Sequence, residues 1–420
     1  MITKVKQNFT SLIINTLSNK SFSKMSKPRM YFIAHTLWLF ASIKGRINFL
    51  QLGRFSKFCE QYFRIGFQKT LDFLSFNSIL LEKHFPSSSA LAIALDPSYI
   101  DKSGKATKGV GNFWSGCAGK AKRGLELCGF AVVVIEHSGN MNISSSEAYH
   151  LKAFQSPSPE ELKKQGSDLL SHYGKLVVEH AKEWLSFSKY LLADAYFSKN
   201  PFVNHILEAG MHLISRLRDD AALQYLYQGE QKTGKGRPRL YAGKVDVKKP
   251  NMEYFTLEEI TEEYQVFSAI VYSKAFKRKL RPALVVFQKN GKETARKLYF
   301  STDLNLTASQ VFIYYRSRFQ IEFIYRDAKQ YTGWCHCQGR TGEKLDFHWN
   351  AALTTVNLAK IQHQQDENFG KENFSMANCK TLYNNILMLE RFIAVFGINP
   401  NSACNQKKII ELLNFGRSAA

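Results

Sequence analysis

Two short apolar runs, each closed by an aspartate, constrain the fold of this chain most. Leu91 to Leu95 reads L-A-I-A-L and is followed at once by Asp96 and Pro97; Tyr190 to Ala193 reads Y-L-L-A and is followed by Asp194. Unbroken apolar runs of this length, bounded by a charge and by turn formers, read as buried strands. Pro97 has no amide hydrogen to give, so ladder pairing is expected to end there. Asn200-Pro201 is expected to open the next helix. Each run thus leaves a carboxylate at the carboxyl end of a buried strand, where α/β folds place their sites. An aspartate after a strand also serves commonly as a helix N-cap or turn residue, and that alternative stands beside the first.

The segments around these runs continue the pattern. After a strand at 91–96 comes a Gly- and Lys-rich loop, then strands at 127–136 and near 140–145. A helix over 159–184 opens on S-P-S-P-E-E, with acids in its first turn. Strand, helix and strand follow at 189–196, 201–209 and 211–218. The loop could track a nucleic-acid backbone, with Trp114 free to stack on a base. It lacks the Gly-Lys-Ser/Thr element of a phosphate-binding loop, which argues against a nucleoside-triphosphate site.

Further on, Tyr315, Arg318, Glu322 and Lys329 fall at offsets of 0, 3, 7 and 14. At about 100° per residue these offsets share one face of an α-helix. Ile313, Ile321, Ile324, Ala328 and Tyr331 lie opposite, able to pack on a core. A carboxylate flanked by two cations and a phenol is what metal-dependent phosphoryl transfer asks of a helix. The solvated face of an amphipathic helix has the same spacing. Other acids compete for a role: Asp101, Asp219, Asp220 and Asp327 read as turn or surface carboxylates, Asp327 pointing well away from the common face.

The pattern Y-x-x-R-x-x-x-E-x(6)-K resembles the signature of a large group of DDE insertion-sequence transposases, matched here at all four positions. The resemblance covers roughly residues 90–360 and implies a ribonuclease H-like active site. Asp96, Asp194 and Glu322 would then be the catalytic and metal-binding acids. They would hold two magnesium ions about 4 Å apart, with manganese as a substitute. Tyr315, Arg318 and Lys329 would contact transposon-end phosphates, with Arg326 on the same helix also at the DNA. The implied activity is DNA cleavage at terminal inverted repeats and strand transfer into target DNA, by a homodimer in a synaptic complex. A catalytically silent domesticated DNA-binding protein, or a nuclease of the same fold without strand transfer, are the alternatives. The resemblance also accounts for the separation of 128 positions from Asp194 to Glu322, where this group places a β-rich insertion.

The residues there do alternate as strands, in Q-V-F-S-A-I-V-Y and in P-A-L-V-V-F-Q-K with its partner run across an Asn-Gly turn at 290–291. Within it, G-K-G-R-P-R at 234–239 resembles a minor-groove hook, with Arg237 and Arg239 as readers; a basic loop is the simpler alternative. The acids Glu258, Glu259, Glu262 and Glu263 read as a solvated patch.

Net charge points to a polyanionic partner. The chain carries 57 Lys and Arg against 35 Asp and Glu, a formal +22. The excess is clustered: residues 1–85 hold 13 basic against 3 acidic side chains, and 273–297 hold 9 against 1. Such binding would be steeply salt-dependent. The longest apolar stretch, Met30 to Ile43, is too short to span a bilayer. With no secretory signal pattern, a cytoplasmic, nucleoid-associated bacterial protein is expected, without a membrane partner. Seven scattered cysteines suit reduced thiols. Cys335-His336-Cys337 with His348 invites a zinc reading, but its spacing matches no standard structural site.

The expected fold is α/β: a ribonuclease H-like catalytic core with a β-rich insertion, flanked by helical N-terminal and C-terminal regions. The divisions are 1–87, helical, basic and DNA-binding, with a helical cap on the core as the alternative; 88–218, the first part of the core; 219–306, the insertion; 307–362, the second part with the signature helix; and 363–420, a linker and helical tail. His348, on a helix over 345–360, is expected as a packed core residue that could also approach the acids.

Overall fold

The computed structural model describes residues 2–85, 90–104, 106–138, 142–231, 236–366 and 373–418. Five helices come first: α1 (Ile2–Leu17), α2 (Lys27–Ser42), α3 (Phe49–Arg54), α4 (Glu60–Gly66) and α5 (Phe73–Glu82). Strands β1 (Ala90–Asp101), β2 (Gly111–Ser115), β3 (Lys120–Ser138) and β4 (Asn142–Gln155) follow. Then come α6 (Pro159–Lys164), α7 (Leu169–Glu179), α8 (Ala181–Leu185), β5 (Tyr190–Leu192), α9 (Asn200–Glu208) and β6 (His212–Arg216).

Seven strands lie between β6 and the next helix: β7 (Leu223–Leu226), β8 (Tyr241–Lys244), β9 (Thr256–Ile260), β10 (Tyr264–Ser268), β11 (Val271–Ser273), β12 (Arg278–Lys289) and β13 (Lys292–Ser301). The chain closes with α10 (Ala308–Ser317), α11 (Gln320–Tyr331), α12 (Gly342–Gln364), α13 (Met376–Phe396) and α14 (Ala403–Asn414).

Strands β4, β3, β1, β5 and β6 stand side by side in that order. β1 and β4 run antiparallel to β3, whereas β5 lies parallel to β1 and β6 parallel to β5. Three antiparallel strands followed by alternating helix and strand is consistent with a ribonuclease H-like unit. The sheet does not stop at β6. Tyr299 of β13 pairs opposite Arg216 of β6, and β12, β11, β7 and β8 extend the same sheet, which reaches 13 strands. Asn290 and Gly291 both take positive φ, 52° and 73°, which is the twist a two-residue hairpin between β12 and β13 requires.

Several local expectations give way. β1 does not end at Pro97 but pairs with β3 as far as Asp101 opposite Gly124. Its other neighbour β5 reaches only Ile93 and Ala94, so beyond Leu95 one edge of β1 has no ladder, and a proline is tolerated on such an edge. About half of the presumed loop around Trp114 is strand, formed by β2 and the start of β3 paired with each other. The helix expected over 159–184 is three helices. Gly166 at φ +65° and the N-cap of Asp168 on Ser171 divide it. The run Q-V-F-S-A-I-V-Y is likewise two strands, β10 and β11.

The N-terminal helices are built as a cap on this core. Phe9, Trp38 and Tyr383 pack edge-to-face or tilted at 5.5–5.6 Å, tying α1 and α2 to α13. Phe67 and Phe73 pack against Phe347 of α12. Among the described residues, no helix is long and apolar enough to cross a membrane.

Helix α12 covers β4, whose only partner strand among the described residues is β3. An uncovered edge exposes a row of unpaired amides and carbonyls. Here side chains take their place. The Asn350 Oδ1 accepts from the Ala153 amide at 2.8 Å and its Nδ2 donates to the Ala153 carbonyl at 3.1 Å. Two turns on, Asn357 repeats the pattern on His150, at 2.8 and 2.7 Å. Asn77 of α5 donates to the Leu151 carbonyl at 2.9 Å, and the Lys360 ammonium to the Ala148 carbonyl at 2.9 Å.

Candidate active site

Asp96 and Asp194 approach one another because β1 and β5 are adjacent and parallel. Beyond the last apolar residue of β5, Asp194 turns the chain: its Oδ1 caps the short 3-10 turn at Ala195–Phe197 by accepting from the Tyr196 amide at 2.9 Å. The N-cap and strand-end readings of Asp194 therefore hold together, since only one of its oxygens is used by the cap. Glu322 arrives from α11. All three acids line one cavity of about 1090 Å³, together with Trp114, Arg326 and Lys329.

The signature segment is not one continuous helix. Around Arg318 and Phe319 the backbone tightens to i→i−3 hydrogen bonds, from Arg318 to Tyr315, Phe319 to Arg316, Ile321 to Arg318 and Glu322 to Phe319. This joint separates α10 from α11 and turns Arg318 between two acids. Its Nη1 lies 3.3 Å from the Asp96 Oδ1 and its Nη2 3.3 Å from the Glu322 Oε1. Of the expected apolar face, Ile313, Ile321, Ile324 and Ala328 are buried and Tyr331 is partly buried.

Burial pushes the Asp96 carboxyl up to about 7; Glu322 and Asp194 push the same way, against Arg318. Burial opposes the charge on Arg318, yet Asp96, Tyr315 and Glu322 together raise its pKa. The Arg318 Nε is buried without an acceptor among the described residues, so the guanidinium is held by charge more than by a complete set of hydrogen bonds.

The other sequence candidates fall into three groups. Lys329 donates to the Ser98 hydroxyl at 3.1 Å and lies over the Trp334 ring, while Trp114 stands 65 % exposed at the cavity wall. Arg326 pairs with Asp327 at 3.1 Å. Tyr315 does not line the cavity; it packs on Tyr299 at 4.6 Å, with the Arg318 guanidinium 5.9 Å from its ring. Arg237 and Arg239 belong to the β7–β8 connection, away from the acids' cavity wall. There the Arg239 guanidinium covers the Tyr227 ring at 4.7 Å and donates to the Tyr241 carbonyl.

Among the runner-up acids, Asp101 pairs with Lys122 at 2.9 Å, and Asp219 and Asp220 pair with Arg216 and Arg218. Asp327 is a correction, buried where a turn or surface carboxylate was expected, with its pKa raised by that burial. His348 is a core residue. It sits against Phe40, its Nε2 2.8 Å from the Gly333 carbonyl, and burial lowers its pKa to about 4. Two members of the Cys-His-Cys group are engaged with backbone: His336 Nδ1 accepts from the Ile47 amide and the Cys337 sulfur from the Gly339 amide, while Cys335 lines the cavity.

Two cavity residues escaped sequence reasoning. Tyr325 donates to the Asp96 carbonyl at 2.6 Å, and Gly129 opposite Asp96 leaves room for it, since a Cβ there would lie 2.1 Å from the hydroxyl. Glu126 is a further acid in the cavity wall, beside Asp96, Asp101, Asp194 and Glu322, buried on β3 and hydrogen-bonded by Tyr173. Its signal was a lone carboxylate between Leu125 and Leu127 in an apolar strand.

The donor chemistry fits a divalent cation. Three carboxylates supply the hard oxygen ligands that magnesium prefers, and their mutual repulsion is only partly relieved by Arg318. The acids do not yet converge: among the described residues no three metal-ligating side chains are close enough to hold one ion. Arg318 stands between two of them.

A family model described as the transposase DDE domain matches residues 168–358. The match includes Asp194 and Glu322 and begins after Asp96. It supports a DDE transposase, a class that generally uses divalent metals. No curated protein matches the chain.

Proposed function

We propose that this chain is the transposase of an insertion sequence, cutting DNA at transposon ends and transferring the cut strand into a target. The observation that carries this reading is the meeting of Asp96, Asp194 and Glu322, from three separate elements, in one cavity walled by Lys329, Arg326 and Trp114. The match to the transposase DDE domain supports the same chemistry for a ribonuclease H-like core.

Asp96, Asp194 and Glu322 would hold magnesium, with manganese as a substitute. The ions would supply Lewis-acid stabilisation of the charge that develops on the phosphate oxygens. Arg318 neutralises Asp96 and Glu322 in the metal-free site, and its release would make a guanidinium available to a DNA phosphate. Lys329 and Arg326 fix the backbone beside it, and Trp114 offers a face on which an unpaired base can stack. Tyr315 backs Arg318 and is not a nucleophile. The substrate is double-stranded DNA, at terminal inverted repeats and target, held by a homodimer.

The test uses a donor plasmid carrying the DNA that flanks the gene. Nicking is expected to need Mg²⁺ and to fall by about 10³ or more in Asp96→Asn, Asp194→Asn and Glu322→Gln, the loss of several kcal/mol of charge stabilisation. Near-normal cleavage by any one of the three would remove that acid from the assignment. Pre-cut ends incubated with a target plasmid separate the alternatives: a nuclease leaves them unjoined, and a silent DNA-binding protein never nicks.

A further inference from the structure

A second cavity, of about 1040 Å³, lies beside the first and shares Asp101 and Cys335 with it. Its wall is assembled from distant parts of the chain: Arg46 between α2 and α3, Arg64 on α4, Lys102 just after β1, and Arg340 and Lys344 around the start of α12. Five cations thus face one acid, Asp101, which is already paired with Lys122. Arg64 is paired with Glu60, whereas Arg46, Lys102, Arg340 and Lys344 form no carboxylate ion pair among the described residues. The Lys102 ammonium donates to the Cys337 carbonyl at 2.6 Å, and burial lowers its pKa with Arg340 adding to the effect.

Gathering like charges in a concave wall is unfavourable unless an anion joins them, because low-dielectric walls focus their field. The N-terminus of α12 contributes little, since its first-turn Glu343 already engages Thr341 and its own amide. The side-chain cations carry the attraction. Arginines set in a groove suit phosphodiesters, which they meet bidentately.

We infer that this basic cavity is a docking track for the DNA backbone immediately next to the reacting phosphodiester, held by Arg46, Lys102, Arg340 and Lys344. The inference rests on the reading above that DNA is the substrate. It adds that the N-terminal cap takes part in DNA binding through Arg46, at its junction with the core. A strand leaving the acids at Asp101 and Cys335 passes directly into the track.

The experiment measures binding of the full chain to a fluorescein-labelled, mixed-sequence 20-base-pair duplex in EDTA, across a series of salt concentrations. Arg340→Ala/Lys344→Ala should weaken binding about tenfold at moderate salt and flatten the log–log salt slope by about 2, the value for two lost phosphate contacts. Arg46→Ala should flatten it by about 1. Arg340→Lys/Lys344→Arg should keep the slope, and Lys248→Ala/Lys249→Ala, on the loop after β8, should change nothing. Unchanged binding in the double alanine variant, or an equal loss in the Lys248/Lys249 control, would overturn the track. So would inorganic phosphate competing with the duplex at equal phosphate concentration, which would make the cavity a small-anion site. Because no metal is present, this outcome is independent of cleavage: a protein that binds through the track but never nicks sinks the proposed function alone.

Discussion

The acid cavity and the seam between β4 and α12 both bury polar groups, and they resolve that burden in opposite ways. At the seam, the side-chain amides of Asn350, Asn357 and Asn77 meet backbone groups of β4, and the Lys360 ammonium meets the Ala148 carbonyl. In the cavity, Asp96 and Glu322 share one guanidinium at 3.3 Å each, and its Nε has no acceptor among the described residues. A satisfied network rigidifies; an under-neutralised one is poised to accept something else. The molecule thus keeps its two kinds of polarity apart, one along β4 and the other beside the interior strands β1 and β5.

Stability measurements should separate the two most sharply. Asn350→Leu leaves the Ala153 amide and carbonyl and the His150 ring without their partner and is expected to cost about 3 kcal/mol or more in denaturant unfolding. Asp194→Asn, in the cavity, should stay within about 1 kcal/mol of the parent, because it keeps the cap and removes a charge from a crowded group. Equal losses would erase the distinction.

A smaller change is expected from Arg318→Gln, which should lower metal-free stability by about 1–2 kcal/mol, as the joint is only partly shielded from water. The same variant should bind Mn²⁺ more tightly by calorimetry, since no guanidinium competes for the acids. Unaltered affinity would mean that Arg318 does not occupy the cation's place.

The mildest effect lies in pH dependence without metal, where the two regions should have opposite signs. Asp96 has a folded pKa raised to about 7 from 3.8, so its stabilising contribution is full below about 4 and is lost as pH rises through 7. Burial lowers His150 to about 3 from 6.5, so its contribution is full above about 6.5 and is lost as pH falls through 3. Melting curves of Asp96→Asn should therefore lose the decline between pH 4 and 7, and those of His150→Gln the decline towards acid. A shift of the same sign in both would contradict the assignment of either group.

What the sequence disclosed was short in range. The runs before Asp96 and Asp194 declare buried strands within five residues, and Asn290-Gly291 declares a hairpin within two. The joint at Arg318 was hidden because neither Gly nor Pro marks it; its residues keep helical dihedrals and only the hydrogen-bond span shortens. Tyr325 could not be foreseen as a partner of Asp96, since the contact depends on Gly129 in a third element. The basic count over residues 1–85 says nothing of where those helices pack, and Phe9, Trp38 and Phe67 turn out to settle that by joining α12 and α13. Arg237 and Arg239 illustrate the converse, a local motif that the fold leaves apart from the acids.

One backbone pairing carries a last consequence. Because β13 lies against β6 with Tyr299 opposite Arg216, and α10 follows directly, Glu322 is positioned by the sheet and not by the length of chain that precedes β13. The turns and connections among β7 to β11 are then free to lengthen or shorten, while β10 and β12, on which Phe312 of α10 packs through Tyr264 and Phe287, hold that helix in place. A slip of one residue in that single pairing, about 3.3 Å, would do what dozens of inserted residues would not: carry the glutamate out of step with both aspartates.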